Sequence, residues 1–161
     1  ARRPEFYERA RAPDTVEGRF EVLALHMFLI IRRLKRDAPA SDRLSAAIQE
    51  VFFRRLDHAL RELGVGDLSI GRKIRGLAEA FYGRASAYEK AMGDGARDAI
   101  SAALARNVFE SADAARALPL ADYLVKADQL LAEAPAHDLS CAIARLKGLS
   151  AEIQDANADD R

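Results

Sequence analysis

The chain has 161 residues, the size of one domain with a substantial core. Its 25 basic and 25 acidic side chains cancel, so no overall field draws the chain onto nucleic acid or an anionic bilayer. The single cysteine, Cys141, excludes a disulfide within the chain and favours a reducing, cytosol-facing compartment.

The first part of the chain predicts a short helix over residues 4–12 and a long second helix. Asp14 and Glu17 resemble a capping box, and the second helix should end near Arg36. Its apolar side chains form two faces, one with Val16, Phe20, Leu23, Met27, Ile30, Ile31 and Leu34, the other with Val22, Leu25 and Leu29. A helix that is apolar on all sides is usually buried in a bundle. The alternative is that part of the second face stays open and receives an apolar segment of another protein.

A third helix over about residues 41–63 is amphipathic in the ordinary way. Its inner side carries Ile48, Phe52, Leu56, Ala59 and Leu63. On its solvent side we expect the ion pairs Glu50–Arg54 and Asp57–Arg61, since residues four apart are neighbours on a helix.

The helix expected over about residues 70–92 is the one around which we expect the bundle to be organised. One side has a stripe of apolar residues: Ile74, Leu77, Ala78, Phe81, Ala85, Tyr88 and Met92. The opposite side has small residues, among them Gly76 and Gly83, although glycine lowers helix stability by roughly 1 kcal/mol. A close-packed neighbour would explain them, so we predict a central helix covered on both sides.

The remaining chain predicts helices over about residues 95–109, 119–134 and 138–154, the second starting at Pro119. No segment alternates with period two, so strands are not expected. The sequence therefore predicts an all-α fold, an irregular bundle of about six to seven helices. We expect residues 1–154 to form one domain and residues 155–161 to be a disordered polar tail.

Catalytic and metal-binding patterns are weak throughout. The glycines near residues 64–71 follow a helix instead of a strand, so they do not fit a dinucleotide-binding loop. His26, His58 and His137 lack the spacing to an acidic residue that builds helical metal sites. A hydrogen-bonded core histidine is the better interpretation of His26. No cofactor, metal or enzymatic activity is predicted.

Three segments resemble the ubiquinol-cytochrome c chaperone family. They are PDTVEGRFEVLALHMFLIIRRL (residues 13–34), LRELGVGDLSIGRKIRGLAEAFYGRASAYEKA (residues 60–91) and LARNVF (residues 104–109). The resemblance covers about residues 1–133 and implies a bacterial member of the family. It implies a non-enzymatic chaperone that binds newly made cytochrome b and assists assembly of the ubiquinol-cytochrome c reductase complex. The implied location is cytoplasmic, peripheral to the inner membrane, or the matrix side in a mitochondrion.

We expect a client groove between the second helix and the 70–92 helix, with residues 64–69 as its lip. The residues predicted to bind the client are Val22, Leu25, Leu29, Gly64, Gly66, Leu68, Tyr82, Arg84 and Tyr88. Aromatic and arginine side chains beside small residues are typical of interaction surfaces. An equal alternative is that Tyr82 and Tyr88 are core residues with their hydroxyls at the rim.

A basic cluster lies at the end of the second helix: Arg32, Arg33, Lys35 and Arg36. Most such clusters are solvated helix ends, but this one also suits contact with a membrane or a ribosome. Two other functions remain open. One is a nucleic-acid-binding helical module, against which the neutral charge counts, and for which no specific DNA contact is predicted. The other is a helical carrier of haem or another small ligand that would use His26.

Overall fold

The computed structural model describes residues 1–93, 97–134 and 138–153, and every regular element in them is helical. The α-helices are α1 (Glu5–Glu8), α2 (Val16–Lys35), α3 (Asp42–Glu62), α4 (Asp67–Gly93), α5 (Arg97–Val108), α6 (Leu118–Glu133) and α7 (Leu139–Ser150). A 3₁₀ helix, Ala114–Ala117, precedes α6. The predicted all-α fold is confirmed. The tail predicted for residues 155–161 lies outside the described residues, and the domain boundary at residue 154 stays a prediction.

The helix at the centre of the bundle is α2. It contacts α3, α4, α5 and α6, and eleven of its 20 residues are buried. Val22, Leu25 and Leu29 have no accessible surface, so the second apolar face of this helix is part of the core. Of the two interpretations of α2, the buried helix is the one that this structure has.

The start of α2 differs slightly from the predicted capping box. Thr15 is the N-cap, and its hydroxyl accepts a hydrogen bond from the Gly18 backbone N–H at 3.1 Å. Asp14 instead pairs with Arg19 at 2.5 Å. A Cβ atom at Gly18 would lie 2.0 Å from the carbonyl oxygen of Pro13, so only glycine fits this first turn. The chain before α2 is thereby packed directly onto it.

The second half of the chain surrounds the far side of α2. Helices α5 and α6 both contact α2, and α7 packs on α6. Four fully buried leucines supply much of this core: Leu104, Leu120, Leu124 and Leu131. Pro119 lies in the first turn of α6, as predicted, where its missing N–H costs no hydrogen bond.

Helices α3 and α4 form an antiparallel hairpin on the other side of α2. Phe52 and Phe81 contact each other with ring centroids 5.6 Å apart, and both pack on Met27 and Ile31 of α2. The expected surface ion pairs are present, Arg54 to Glu50 at 2.6 Å and Arg61 to Asp57 at 2.7 Å. Gly64 has φ +82°, a left-handed conformation that permits the tight turn between the helices.

The prediction that α4 is the central helix is wrong. Only four of its 27 residues are buried, Ile70, Phe81, Tyr88 and Ala91. Gly76 and Gly83 are exposed, with no atom within 4 Å of where a Cβ would be, so no backbone packs on the small-residue side. The reason is that α3 and α5, its main neighbours, leave that side uncovered in the described chain.

Candidate functional site: an apolar groove between α2, α3 and α4

An open groove of about 900 Å³ lies between α2, α3 and α4. Its apolar lining is Val16, Phe20 and Leu23 from α2, Leu56, Ala59, Leu60 and Leu63 from α3 and its end, and Leu77 and Ala80 from α4. Val16, Leu23 and Leu63 are 62%, 38% and 64% exposed, respectively. The groove therefore presents apolar side chains of three helices to solvent.

The groove exists because the hairpin is anchored at one end only. The contact between Phe52 and Phe81 closes the space near the middle of α2. Towards the α3–α4 turn, Ala59 and Ala80 have only methyl groups, where longer side chains would fill the gap. Short side chains in the lining leave space that longer ones would occupy.

An ion pair joins α2 to α4 at the inner wall of the groove. Arg84 Nε lies 2.5 Å from Glu21 Oε2, and the Glu21 side chain is 9% exposed. Neither atom has an aligned hydrogen bond, so the attraction is that of the two charges. Burial raises the pKa of Glu21, Arg84 opposes this shift, and the nearby Glu110 adds to it. The groove wall thus contains a compensated charge pair, and four more charged residues belong to the lining: Arg2, Glu17, Arg19 and Glu110.

Four residues predicted to bind a client are not available in this conformation. Val22, Leu25 and Leu29 are completely buried in α2, and Tyr88 is 1% exposed. The physical reason is that α5 and α6 cover the second face of α2, and that Tyr88 packs on Phe28 with centroids 5.6 Å apart. Tyr88 is a core residue, as the alternative had it, but its hydroxyl is buried instead of lying at the rim, and burial raises the pKa of this hydroxyl.

The other predicted client residues divide between the groove and its surroundings. Arg84 lines the groove. Gly64, Gly66 and Leu68 are exposed at the α3–α4 turn, beyond the groove lining. Tyr82 is 51% exposed on another side of α4, where its hydroxyl donates to Gln49 Oε1 at 2.8 Å. Tyr82 lines a separate depression of about 520 Å³ with Phe28 and Arg32. No single surface unites the predicted set.

Most of the basic residues predicted to contact a membrane or ribosome instead form hydrogen bonds and ion pairs within the bundle. Arg33 is 6% exposed and donates to the backbone oxygens of Leu131 and Ala134 at 2.8 and 2.7 Å. Asp128 of α6 receives both Arg32 at 3.1 Å and Arg36 at 2.7 Å. Burial removes Arg33 from any external contact, and carboxylates compensate the charges of Arg32 and Arg36. Lys35 is exposed and has no ion pair in the described parts of the chain.

His26 is a hydrogen-bonded histidine that is partly buried against the core rings of Phe6 and Tyr123. Its Nδ1 lies 2.7 Å from the Val22 carbonyl oxygen, which can only accept, so Nδ1 carries the proton. Its Nε2 accepts from the Tyr123 hydroxyl at 2.9 Å. Burial, with a smaller contribution from the N-terminal charge, lowers the pKa of His26 to about 4. Because both nitrogens are engaged, the ring offers no lone pair to a haem iron, and the described residues contain no cluster of metal-ligating side chains.

The groove residues were recognisable as apolar from the sequence, but they were predicted to lie in the core. Leu23 and Leu77 were assigned to core stripes, and Leu56 and Leu63 to the inner side of α3. Helical periodicity finds the apolar side of a helix, whereas it contains no information on how much of that side a neighbour covers. Leu60 lies beside the predicted stripe, and only the packing shows that it faces α2 and α4.

In the described residues, no helix combines the length and apolar character that crossing a bilayer requires. The chain is thus an all-α bundle with an open groove between three of its helices. More particularly, the chain belongs to the ubiquinol-cytochrome C chaperone family, whose sequence profile matches residues 8–146. The family resemblance expected from the three sequence segments is confirmed.

Two similar proteins agree with this assignment. The chain is 26% identical over 137 residues to ubiquinol-cytochrome-c reductase complex assembly factor 1 of Xenopus laevis, across 84% of this chain and 68% of that protein. It is also similar to the crystal structure of the Cbp3 homolog from Brucella abortus, with a TM-score of 0.76 and 34% identity. That similarity covers 98% of this chain and 83% of the other.

Proposed function

We propose that the protein is a non-enzymatic assembly chaperone that binds newly made cytochrome b and delivers it to the ubiquinol-cytochrome c reductase complex. The observation that carries the proposal is the groove between α2, α3 and α4, in a member of a chaperone family. A membrane protein that has not yet assembled exposes apolar helices, which aggregate in water. An apolar groove shields such a helix by removing its surface from water.

The spacing of the lining residues defines the kind of segment that fits. Val16, Phe20 and Leu23 on α2, and Leu56, Leu60 and Leu63 on α3, each follow the i, i+4, i+7 spacing. Each wall is therefore about two helical turns long, or roughly 10 Å. A matching occupant is an apolar helix that presents at least two turns to the groove, the helix-in-groove form of recognition.

The proposed location follows from the proposed client. Cytochrome b is a membrane protein, so the chaperone would work at the cytoplasmic face of the inner membrane, or at the matrix face in a mitochondrion. The chain would be peripheral to that membrane. Release would need no nucleotide, because a competing subunit or cofactor that covers the same client helix is sufficient to displace the chaperone.

Site-specific photo-cross-linking tests the groove directly. Photoreactive residues replace Leu23, Leu63 or Leu77 in the groove, and Leu44 or Val51 serve as matched controls. Leu44 and Val51 are apolar, 48% and 50% exposed, and lie on α3 outside the groove. In membranes that are synthesising cytochrome b, we expect cytochrome b adducts at the three groove positions and none at the controls.

Two outcomes would overturn the proposal in different ways. Adducts at Leu44 and Val51 alone would move the client site to the outer face of α3. Adducts to other proteins at all three groove positions, with cytochrome b in none of them, would assign the groove to a different partner.

A further inference from the structure

The turn between α3 and α4 presents a second feature that the groove does not explain. Leu68, in the first turn of α4, is fully exposed at 101% of its reference area, and Leu63 at the end of α3 is 64% exposed. Isolated exposed leucines are common on protein surfaces, so Leu68 alone carries no argument. The residues around Leu68 distinguish it from an isolated exposed leucine.

Three uncompensated cations follow Leu68 within two turns of the helix. Arg72, Lys73 and Arg75 are exposed, and in the described chain no carboxylate lies within ion-pair distance of any of them. Leu68, Arg72 and Arg75 follow the i, i+4, i+7 spacing, which places them on one side of α4. Arg61, at the end of α3, differs because Asp57 and Asp67 both pair with it.

This local charge contrasts with the rest of the molecule. The whole chain has no net charge, and carboxylates compensate the arginines at the end of α2. An exposed cation without an ion pair in the described chain also lies beside exposed Val51 on α3, namely Arg55, but the corner has three such cations within four residues. The combination is complementary to the surface of an anionic bilayer, which offers phosphates to cations and an apolar boundary to leucines.

We propose that this corner, defined as Leu63, Leu68, Arg72, Lys73 and Arg75, docks on bilayers that contain anionic lipids. The leucine side chains enter the headgroup region, while the long stems of the three cations extend to lipid phosphates. With three cations and two leucines the attachment is weak and reversible, and Glu62 and Glu79 nearby weaken it further. Salt weakens it because the Debye length is only about 8 Å at physiological ionic strength.

The corner adjoins the proposed client groove, since Leu63 belongs to both. Docking at the corner would turn the α3–α4 end of the groove towards the bilayer, from which an apolar client helix comes. Only this orientation rests on the proposed function. Lipid binding itself needs no client, so it is measured on the full chain alone.

Vesicle co-sedimentation tests the corner, with vesicles of phosphatidylcholine alone or mixed with phosphatidylglycerol. The charge variant is Arg72→Gln/Lys73→Gln/Arg75→Gln, and its matched control is Arg106→Gln/Arg145→Gln/Lys147→Gln, which removes three exposed cations from α5 and α7. The apolar variant is Leu68→Ser, matched by Val51→Ser. Leu68 and Val51 are at least half exposed, and the six cations are exposed and form no ion pair in the described chain. Each variant is therefore expected to fold.

We expect wild-type binding to the mixed vesicles and little to phosphatidylcholine alone. The charge variant should bind the mixed vesicles on the order of 100-fold more weakly, and Leu68→Ser roughly tenfold more weakly, whereas both controls bind as the wild type does.

Equal losses in the variants and their controls would overturn the proposal, as would absence of wild-type binding. If the charge variant lost affinity for RNA yet bound vesicles normally, the corner would be an RNA contact instead. The client groove is tested separately by repeating the cytochrome b cross-linking at Leu23 and Leu77 in the charge variant. Failure of lipid binding with intact cross-links would reject the corner alone.

Discussion

Helix α2 buries eleven of its 20 residues, whereas α3 buries two of 21 and α4 four of 27. The helices α2, α5, α6 and α7 share one large core cluster, which we call the core half. The hairpin of α3 and α4 is attached through a small second cluster around Phe52 and Phe81, and through Tyr88 and Ala91 at the end of α4, which belong to the large cluster. Both regions thus consist of long helices with apolar stripes, but these stripes are mostly buried only in the core half.

This difference separates stability from binding within one domain. Apolar surface that is covered on folding stabilises the chain, whereas apolar surface left open is available to a partner. The core half also contains internal side-chain hydrogen bonds, such as the one that the Tyr123 hydroxyl donates to His26. The hairpin keeps exposed leucines, glycines and cations. We therefore assign stability mainly to the first region and interactions mainly to the second.

The largest contrast is expected between one leucine of each region. Leu25 is completely buried in α2, so Leu25→Ala should lower the free energy of unfolding by about 2–5 kcal/mol through lost burial and the cavity left behind. Leu68→Ala in the hairpin should change it by less than about 0.5 kcal/mol. Urea denaturation followed by circular dichroism measures both. Equal losses would mean that Leu68 is covered in solution and that the two regions do not differ in this way.

One histidine from each region sharpens the comparison through pH. The folded pKa of His26 is about 4, below the ordinary value of 6.5, so as pH falls the unfolded chain takes up this proton first. The contribution of His26 is complete above pH 6.5 and decreases by roughly 3 kcal/mol as pH falls to about 4. His58 is exposed on α3 beside Glu62.

The free energy of unfolding should therefore depend much less on pH between pH 4 and 7 in His26→Gln than in the wild type. In His58→Gln this dependence should be unchanged. The quantity to compare is the difference between each variant and the wild type, because carboxylates contribute to the pH dependence as well, among them Glu21, whose pKa is raised by burial. If His26→Gln kept the wild-type dependence of the free energy of unfolding on pH, the His26 imidazole would not be the group that causes it.

The smallest effect concerns the glycines. Gly76 and Gly83 have open space where a Cβ would be, so replacing each by alanine should stabilise the protein by about 0.5–1 kcal/mol. Gly18 is the opposite case in the core half, because its Cβ would meet the Pro13 carbonyl, and Gly18→Ala should cost about 1–3 kcal/mol. Thermal unfolding compares the three variants. Destabilisation by Gly76→Ala would indicate that a neighbour does cover that side of α4.

Much of the local structure was predictable from the residues. The apolar periodicity of residues 16–34, 41–63 and 70–92 predicted helices that the structure contains, and Pro119 correctly placed the start of α6. The expected pairs Glu50–Arg54 and Asp57–Arg61 formed because they depend only on helical spacing. The family resemblance was also contained in contiguous segments. The N-cap of α2 was misplaced by one residue, since Asp14 and Thr15 are both good caps.

The position of each helix in the bundle depended on tertiary structure. The glycines of α4 indicated a close neighbour, but a small residue only permits an approach, and in the described chain α3 and α5 pack on other sides. Val22 and Leu25 became core, and Leu23 and Leu63 became groove, although all four are equally apolar. The sequence by itself determined which sides of the helices are apolar, because that periodicity is local. Which of those sides are covered was decided only by the packing of helices distant along the chain.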